Sequence, residues 1–271
     1  MANSPPPKKS LGQHWLYDEA SLQAMCQAAA VQPNDTVLEI GSGLGTLTEL
    51  LIKQSKQVVA VEFDENLAAS LPNRVRADNL EVITQDILSF DLTKLPLGYK
   101  LVANIPYYLT SNLIRVISET ANPPTDAAIL VQKEVAQRVA AAPGDMSLLS
   151  VTAQFYWQVS LGREVKAELF TPPPKVDSQI LILKKLPKPL FPDVDPKDFF
   201  RLVKAGFAQR RKTLLNSLSA GLWLDKEVVK TVCGSVDINP TRRAQTLSLE
   251  EWHNLYQSLQ AVQVQIHRGR F

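Results

Sequence analysis

The stretch Thr36–Leu51, TVLEIGSGLGTLTELL, decides the fold that we predict for this chain. Its apolar start, TVLEI, is typical of a buried strand, and a helical pattern follows the glycine-rich turn of Gly41, Gly43 and Gly45. Glycine in such a turn permits a positive φ and lets a ligand approach the backbone closely. A strand, a glycine-rich turn and a helix in this order favour the ligand-binding unit of an open α/β sheet.

Further apolar runs extend this unit into a sheet. Six of them follow along the chain, at residues 57–62, 80–86, 99–105, 126–132, 158–165 and 178–186. Helical patterns lie between them, at residues 44–54 and 109–119, and continuous apolar strands that alternate with helices indicate a parallel sheet covered on both faces. The last two runs are expected to form an antiparallel end. We therefore predict a seven-stranded, doubly wound α/β domain over residues 1–185.

The pattern changes after Leu186. A proline-rich break, PKPLFPDVDP, is followed by helical spacing without a strand pattern, and Gly221 and Pro240 act as stops. Residues 1–185 carry 16 Lys and Arg against 19 Asp and Glu, whereas residues 186–271 carry 13 against 8. We predict a small, all-helical and basic C-terminal domain over residues 186–271. Its charge favours a polyanionic partner, and a solvated basic face is the alternative.

Composition excludes several classes of protein. No apolar run approaches the roughly 18–20 residues of a membrane span. Cys26 and Cys233 lack metal-ligand spacing, and the three histidines are scattered, so we expect neither a metal site nor a disulfide framework. The N-terminus lacks the apolar segment of a secretory signal. We expect a cytoplasmic monomer, or an organellar one in the stroma or matrix if this is a mature form.

Two acids follow the strands next to the glycine turn. Glu62 ends the second strand and Asp86 the third, at the edge where α/β sheets bind ligands. Glu62 is placed to accept the hydroxyls of a ribose, and Asp86 to accept from an adenine amino group. The pattern therefore indicates NAD or S-adenosylmethionine. The turn favours the sulfonium cofactor, because Thr46 occupies the last glycine position of the dinucleotide fingerprint.

The next strand ends in VANIPYYLTS, at residues 102–111. Asn104 follows the apolar run, and Pro106 stiffens the loop behind it. An amide oxygen and a carbonyl of the Pro106 region can together accept both hydrogens of an exocyclic amine, while Tyr107 stacks on a flat base. Such fixed dipoles suit methyl transfer to an adenine amine. The alternative is a turn cap at Asn104 and a Tyr107 side chain that fills the core.

In this order the motifs resemble those of the ribosomal RNA adenine N6,N6-dimethyltransferases over nearly the whole chain. The matching segments are KKSLGQHWL (8–16), EIGSGLGTLT (39–48), VEFD (61–64), TQDIL (84–88), NIPYYLTS (104–111) and FTPPPKVDS (170–178). The resemblance implies a Rossmann-like class I methyltransferase domain that uses S-adenosylmethionine. It further implies that an N-terminal arm, residues 1–16, places His14 and Leu16 over the methionine part of the cofactor. Phe170 would form an aromatic clamp with Tyr107.

FAQRRKTLLNSL (207–218) and NPTRRAQTLSLEEWHNL (239–255) are similar to C-terminal motifs of the small-subunit branch of that family. The resemblance implies dimethylation of two adjacent adenosines in the 3′-terminal hairpin loop of small-subunit rRNA, during biogenesis of the small ribosomal subunit. Five basic residues would then contact RNA phosphates, namely Arg210, Arg211, Lys212, Arg242 and Arg243.

The sequence departs from the family pattern in three places. His14-Trp15 stands where relatives commonly have asparagine or histidine followed by phenylalanine. APGDMSLLSV, at residues 142–151, lacks the Lys-x-Tyr-Gly segment that relatives often carry, and Gln245 stands where they usually have glutamate. These departures affect local geometry and RNA contacts and leave the catalytic motifs intact.

Other functions share parts of this pattern. Macrolide-resistance methylases of large-subunit rRNA share the catalytic motifs and differ in the C-terminal ones. DNA adenine and protein glutamine methyltransferases usually have proline where this chain has Ile105. A non-catalytic RNA- or DNA-binding assembly or transcription factor on this fold would show degenerate cofactor motifs. An NAD-linked oxidoreductase would need an acid/base pair for hydride transfer, and none is evident.

Overall fold

The computed structural model describes Lys8 and residues 12–268, with side chains up to residue 262. The remaining residues of the expected N-terminal arm, 1–7 and 9–11, lie outside the described residues. The chain divides into two compact units, residues 1–137 with 157–185, and residues 138–156 with 186–271.

A seven-stranded sheet forms the first unit. The strands of the described chain are β1 Trp15–Leu16, β2 Thr36–Ile40, β3 Gln57–Glu62, β4 Leu80–Thr84, β5 Lys100–Asn104, β6 Asp126–Gln132, β7 Trp157–Val165, β8 Phe170–Thr171 and β9 Ser178–Lys185. The order in the large sheet is β4-β3-β2-β5-β6-β9-β7. Strands β2 to β6 pair in parallel, and β9 runs antiparallel to β6 and β7. The predicted sheet and its antiparallel end are confirmed.

Ten helices belong to the described part of the chain. They are α1 Glu19–Ala28, α2 Thr48–Gln54, α3 Glu65–Val75, α4 Thr110–Glu119, α5 Lys133–Val139, α6 Leu148–Tyr156, α7 Pro196–Phe207, α8 Leu214–Leu222, α9 Lys226–Gly234 and α10 Leu249–Arg268. Helix α3 begins where the Asp64 carboxylate accepts the backbone N–H groups of Asn66 and Leu67. None of the described helices combines the length and the apolar character that a membrane span needs.

The apolar residues of the sheet place its strand ends at one edge. Val37, Val58 and Val102 are fully buried and pack in a cluster with Met25 of α1 and Leu51 of α2. Parallel strands that are covered in this way all point their carboxyl ends to the same side. The residues that follow β2, β3, β4 and β5 therefore meet at one edge of the sheet.

Strands β1 and β8 form a small second sheet that the sequence did not indicate. Trp15 pairs with Thr171, and Leu16 pairs with Phe170. Two-residue strands are too short to show a period, so their pairing depends on the tertiary fold alone. The pairing brings the N-terminal segment against the start of the FTPPPKVDS loop.

The second unit is helical, as predicted, but it contains one segment more than we assigned to it. Val151 and Phe155 of α6 belong to the same buried cluster as Phe199 and Trp252. Residues 138–156 are therefore part of this unit, whereas the sequence placed them in the domain 1–185. The apolar face of α6 is evident from its sequence, but periodicity does not tell which core that face joins.

A short loop of the second unit is fastened to Gln245. The backbone N–H groups of Gly144 and Met146 donate to the Gln245 carbonyl, at 2.9 Å and 3.2 Å. In return, the side-chain Nε2 of Gln245 donates to the Gly144 carbonyl, at 3.0 Å. Two of the departures from the family pattern, the short loop and Gln245, are thus direct neighbours.

Candidate functional site

All ten residues predicted to bind the cofactor or to act in catalysis line one cavity of about 290 Å³ in the first unit. They are His14, Leu16, Gly41, Gly43, Glu62, Asp86, Asn104, Pro106, Tyr107 and Phe170. The cavity lies at the carboxyl edge of the sheet, where the ends of β2, β3 and β5 contribute Gly41, Glu62 and Asn104.

Glu62 is held by the backbone on both sides of its carboxylate. Its Oε2 accepts the N–H of Gly43 and its Oε1 accepts the N–H of Asp64, each at 2.9 Å. Burial raises the pKa of this carboxyl, and the two N–H groups partly offset that effect. Each carboxylate oxygen retains lone-pair capacity, so the group remains a fixed double acceptor for a pair of hydroxyls.

Asp86 follows β4 at the same edge. Its Oδ1 accepts the N–H of Leu88 at 2.9 Å, which begins a short 3₁₀ turn over Ile87–Ser89. This hydrogen bond fixes the side chain beside the cavity that Asp86 lines. The remaining acceptor capacity suits an amino group.

The glycine turn is closely covered by Trp15. Gly43 has a φ of +54°, and a Cβ atom built there would lie 2.8 Å from Cζ3 of Trp15. Gly41 has a φ of +72°, and its N–H donates to the Val61 carbonyl at 2.9 Å. Both positions require glycine, for the backbone conformation and, at Gly43, for the contact as well.

Two buried polar groups around this turn have no hydrogen-bond partner among the described residues. They are the hydroxyl of Ser42 and Nε1 of Trp15. Ser42 and Trp15 line the cavity. Buried polar groups without partners are rare in folded proteins, and they often mark a site for a ligand or a water molecule. With Glu62 and Asp86, these groups fit a ligand that has a base, a ribose and a small zwitterion.

Asn104 is half-buried at the end of β5 and lines the cavity. Its side chain makes no hydrogen bond to any other described residue. The carbonyl of Pro106 accepts the N–H of Leu109 at 3.0 Å, whereas the carbonyl of Ile105 accepts no backbone N–H in the described loop contacts. Within the Pro106 region, the available second acceptor is therefore the Ile105 carbonyl.

Tyr107 is fixed on two sides. Its hydroxyl hydrogen-bonds the Ser178 hydroxyl at 2.7 Å, and burial raises the pKa of the phenol. The ring of His14 stacks near it, with centroids 6.2 Å apart and planes 19° from parallel. His14 is itself held by a 2.6 Å contact between Nδ1 and the Pro172 carbonyl. Phe170, only 3% exposed, completes the aromatic lining of the cavity.

A sequence model of ribosomal RNA adenine dimethylases matches residues 6–261. The chain belongs to the ribosomal RNA adenine dimethylase family. This result confirms the family that the motifs predicted. A relative named ribosomal RNA small subunit methyltransferase A, from Dehalococcoides mccartyi strain CBDB1, is 42% identical over 92% of this chain and 87% of its own length. A protein of the same name from Alkaliphilus metalliredigens is 40% identical, over 94% of this chain and 92% of its own length.

Two solved structures share the fold of this dimethylase. A dimethyladenosine transferase from Plasmodium falciparum superposes with a TM-score of 0.77 at 25% identity, over 89% of this chain and 96% of that one. The 23S rRNA methyltransferase ErmE gives a TM-score of 0.71 at 26% identity, over 91% and 99%. The predicted class I methyltransferase fold is confirmed.

The predicted RNA-binding residues of the dimethylase lie in its second unit. Arg210, Arg211, Lys212 and Arg243 are exposed, and none of them has an ion pair within the described chain. Arg242 differs from them. Its guanidinium pairs with both carboxylate oxygens of Glu251, and it also donates to the hydroxyl and the carbonyl of Thr246. This engagement holds the guanidinium of Arg242 in place and distinguishes it from the other four residues, which have no such partner in the described part of the chain.

Several residues that line the dimethylase cavity were not predicted. Phe63 and Tyr108 are 60% and 63% exposed, and Gln85, Leu88 and Asn112 lie beside them along the cavity. Phe63 and Tyr108 directly follow Glu62 and Tyr107 in the sequence. Their position next to these predicted site residues indicates that they line the same cavity. Among the described residues, no three His, Cys, Asp or Glu side chains come together in a group that could hold a metal ion.

Proposed function

We propose that this chain transfers methyl groups from S-adenosylmethionine to N6 of two adjacent adenosines in the 3′-terminal hairpin loop of small-subunit rRNA. The product at each position is N6,N6-dimethyladenosine. The observation that carries this proposal is the unpaired amide of Asn104, which faces the same cavity as Glu62 and Asp86. Family membership and the names of the relatives support it.

The geometry of the cavity supports the proposed cofactor residues. Glu62 accepts the ribose hydroxyls, Asp86 accepts from the adenine amino group, and Gly41 and Gly43 let the ligand lie on the backbone. His14 and Leu16 cover the methionine part, to which Ser42 and Trp15 offer unpaired polar groups. When bound, the cofactor supplies an electrophilic methyl group on its sulfonium.

The target amine is held by two acceptors. Oδ1 of Asn104 and the carbonyl of Ile105 each accept one N–H of the exocyclic amine, which directs the nitrogen lone pair toward the methyl group. Tyr107 and Phe170 hold the base between them. Fixed dipoles and alignment lower the barrier, so a strong base is not required. The amine loses one proton to solvent in each transfer. After the first transfer one N–H therefore remains, and only one of the two acceptors is used in the second.

RNA recognition outside the cavity depends on charge. Arg210, Arg211, Lys212 and Arg243 contact phosphates of the rRNA, because each is exposed and free of an acidic partner in the described chain. The adenosines of a hairpin loop are already partly unstacked, which lowers the cost of inserting one into a pocket. The enzyme acts as a monomer in the cytoplasm, on immature small subunits.

Incubation with labelled S-adenosylmethionine tests the proposal. Small and large ribosomal subunits that lack dimethyladenosine are offered separately, and the modified positions are mapped by primer extension. We expect two adjacent dimethyladenosines near the 3′ end of the small-subunit rRNA. Modification of large-subunit rRNA alone would instead assign the activity that the name of ErmE describes. A lack of transfer to either particle would refute the proposal.

A further inference from the structure

The second unit contains a separate cavity of about 430 Å³. It is bounded by the loop before α6, the end of α7 and the segment that follows α7, and it lies wholly within residues 138–156 and 186–271. We propose that this cavity binds one unpaired nucleotide of the rRNA, distinct from the adenosines that are methylated. The inference rests on the proposed function, since it takes rRNA as the substrate.

Four cationic side chains converge on the cavity. Arg138, Lys204, Arg210 and Lys212 line it and are exposed, and none has an ion pair within the described chain. Asp145 is the one acidic residue among those that line it. Four cations beside one carboxylate leave an excess of positive charge, and a phosphate group that enters between the cations relieves their repulsion. The site is thus complementary to a phosphodiester.

The floor of the cavity is apolar and partly aromatic. Met146 is 4% exposed, and the half-buried ring of Phe207 is supported by Trp252, with centroids 5.8 Å apart. An RNA backbone that crossed the surface without inserting a base would make no contact with Met146 or Phe207. A base that enters the cavity stacks on Phe207 and contacts the thioether of Met146.

The size and the polar groups of the cavity fit a single nucleotide. A volume of about 430 Å³ lies at the lower end of the range for sites that bind small molecules. The side chain of Gln209 lines the wall and offers hydrogen bonds to the edge of a base, whereas the Ser147 hydroxyl on the same wall is engaged with Ser150. The loop that supplies Ser147 is fixed through Gly144 and Gln245, so that wall is already formed.

The salt dependence of RNA affinity distinguishes the phosphate contacts of this site from the stacking on Phe207. The full-length protein is titrated against undimethylated small subunits at a series of KCl concentrations, as wild type and as K204A, F207L and K226A. We expect K204A to lower the slope of log affinity against log salt by about 0.7, the value for one phosphate of a single strand. F207L should weaken binding roughly 5- to 100-fold at every salt concentration, with an unchanged slope, because stacking is not ionic. K226A replaces an exposed lysine of α9 outside the cavity and should change neither quantity.

Because Phe207 also packs against Trp252, the melting temperature of F207L is measured in parallel. Photocrosslinking of the otherwise unaltered chain gives a second reading. A photoreactive amino acid replaces Gln209, and reverse transcription maps the crosslinked nucleotide. We expect a single stop at one unpaired nucleotide other than the two methylated adenosines. Stops spread along paired backbone would overturn the proposal, as would wild-type affinity of a correctly folded F207L.

The same particles report on methylation, so the two hypotheses fail in different ways. If the adenosines are dimethylated but no single crosslink appears, the nucleotide site is wrong and the proposed function stands. If the particles bind with one defined crosslink but receive no methyl groups, the proposed function fails and the binding site stands.

Discussion

The six-membered ring of Trp15 occupies the space that a side chain at position 43 would need. Its Cζ3 lies 2.8 Å, and its Cε3 3.3 Å, from the place of a Cβ atom built on Gly43. The indole belongs to the N-terminal segment that pairs with Phe170–Thr171, and the glycine belongs to the turn whose N–H is held by Glu62. One contact therefore connects the N-terminal segment and the glycine turn, which both line the candidate cofactor cavity.

G43A should weaken binding of S-adenosylhomocysteine strongly, because the added methyl group displaces Trp15 and strains a φ of +54°. The double variant W15F/G43A should recover part of the lost affinity, since phenylalanine is smaller than tryptophan, while the φ strain remains. Isothermal titration calorimetry of the four proteins forms a double-mutant cycle. Strictly additive effects would show that the contact does not couple the two residues.

N104A should reduce methyl transfer at least 100-fold while S-adenosylhomocysteine affinity stays near that of the wild type. The amide oxygen is one of two fixed acceptors for the target amine, and the loss of one such dipole typically costs about 10²–10³ in rate. N112A removes another amide that lines the same cavity and should retain most of the activity. Rapid transfer by N104A would remove Asn104 from the mechanism.

The stability of the ligand-free protein should fall as pH rises from about 5 to about 8. Burial raises the pKa of Glu39 to about 8, and the nearby Glu62 carboxylate acts in the same direction. Between its unfolded and folded pKa values Glu39 is protonated only in the folded state, so this residue contributes stability below the lower value. The contribution is lost at roughly 1.4 kcal/mol per pH unit as the pH rises.

E39Q keeps the shape of a neutral side chain without a titrating proton, so it should flatten this dependence. Urea unfolding of wild type and E39Q at pH 5 and pH 8 provides the measurement. We expect similar stability at pH 5 and a more stable variant at pH 8. An equal loss of stability with pH in both proteins would contradict this assignment to Glu39.

Arg242 and Arg243 offer a matched pair of neighbouring arginines. R242A should lower the melting temperature, because it removes the partner of Glu251 and leaves that half-buried carboxylate unpaired. R243A should leave the melting temperature unchanged and lower the salt slope of RNA binding by about 0.7. Thermal denaturation and RNA titration of both variants test this division. An unchanged melting temperature and a lower salt slope for R242A would instead indicate that Arg242 contacts RNA.

The convergence of the candidate site residues on one cavity was largely predictable, because each main residue follows an apolar strand run. Gly41, Glu62, Asp86 and Asn104 stand directly at or after such runs, and the parallel sheet brings those ends together. For these residues, a position at the end of a strand in the sequence is enough to place them at the same edge of the sheet. The pattern of residue types then indicates the chemistry.

Other features depend on contacts that no periodicity encodes. The pairing of Leu16 with Phe170 and the membership of α6 in the helical unit both join residues distant in sequence. The role of Arg242 depends on a carboxylate nine residues away, at Glu251, and its sequence motif does not distinguish it from Arg243. The second cavity gathers Arg138, Lys204 and Lys212 from separate segments, so its charge is visible only after folding.

The hydrogen bonds between Gln245 and Gly144 link residue 245 to the loop before α6, so a change at one position affects the other. The side chain of a glutamate at position 245 would have no N–H to donate, and its carboxylate would face the Gly144 carbonyl. Replacing Gln245 by the glutamate usual in relatives, or grafting their Lys-x-Tyr-Gly segment onto the loop, should therefore weaken the attachment of the loop when either is done alone. In a chimaeric enzyme the loop and residue 245 should therefore be taken from the same parent.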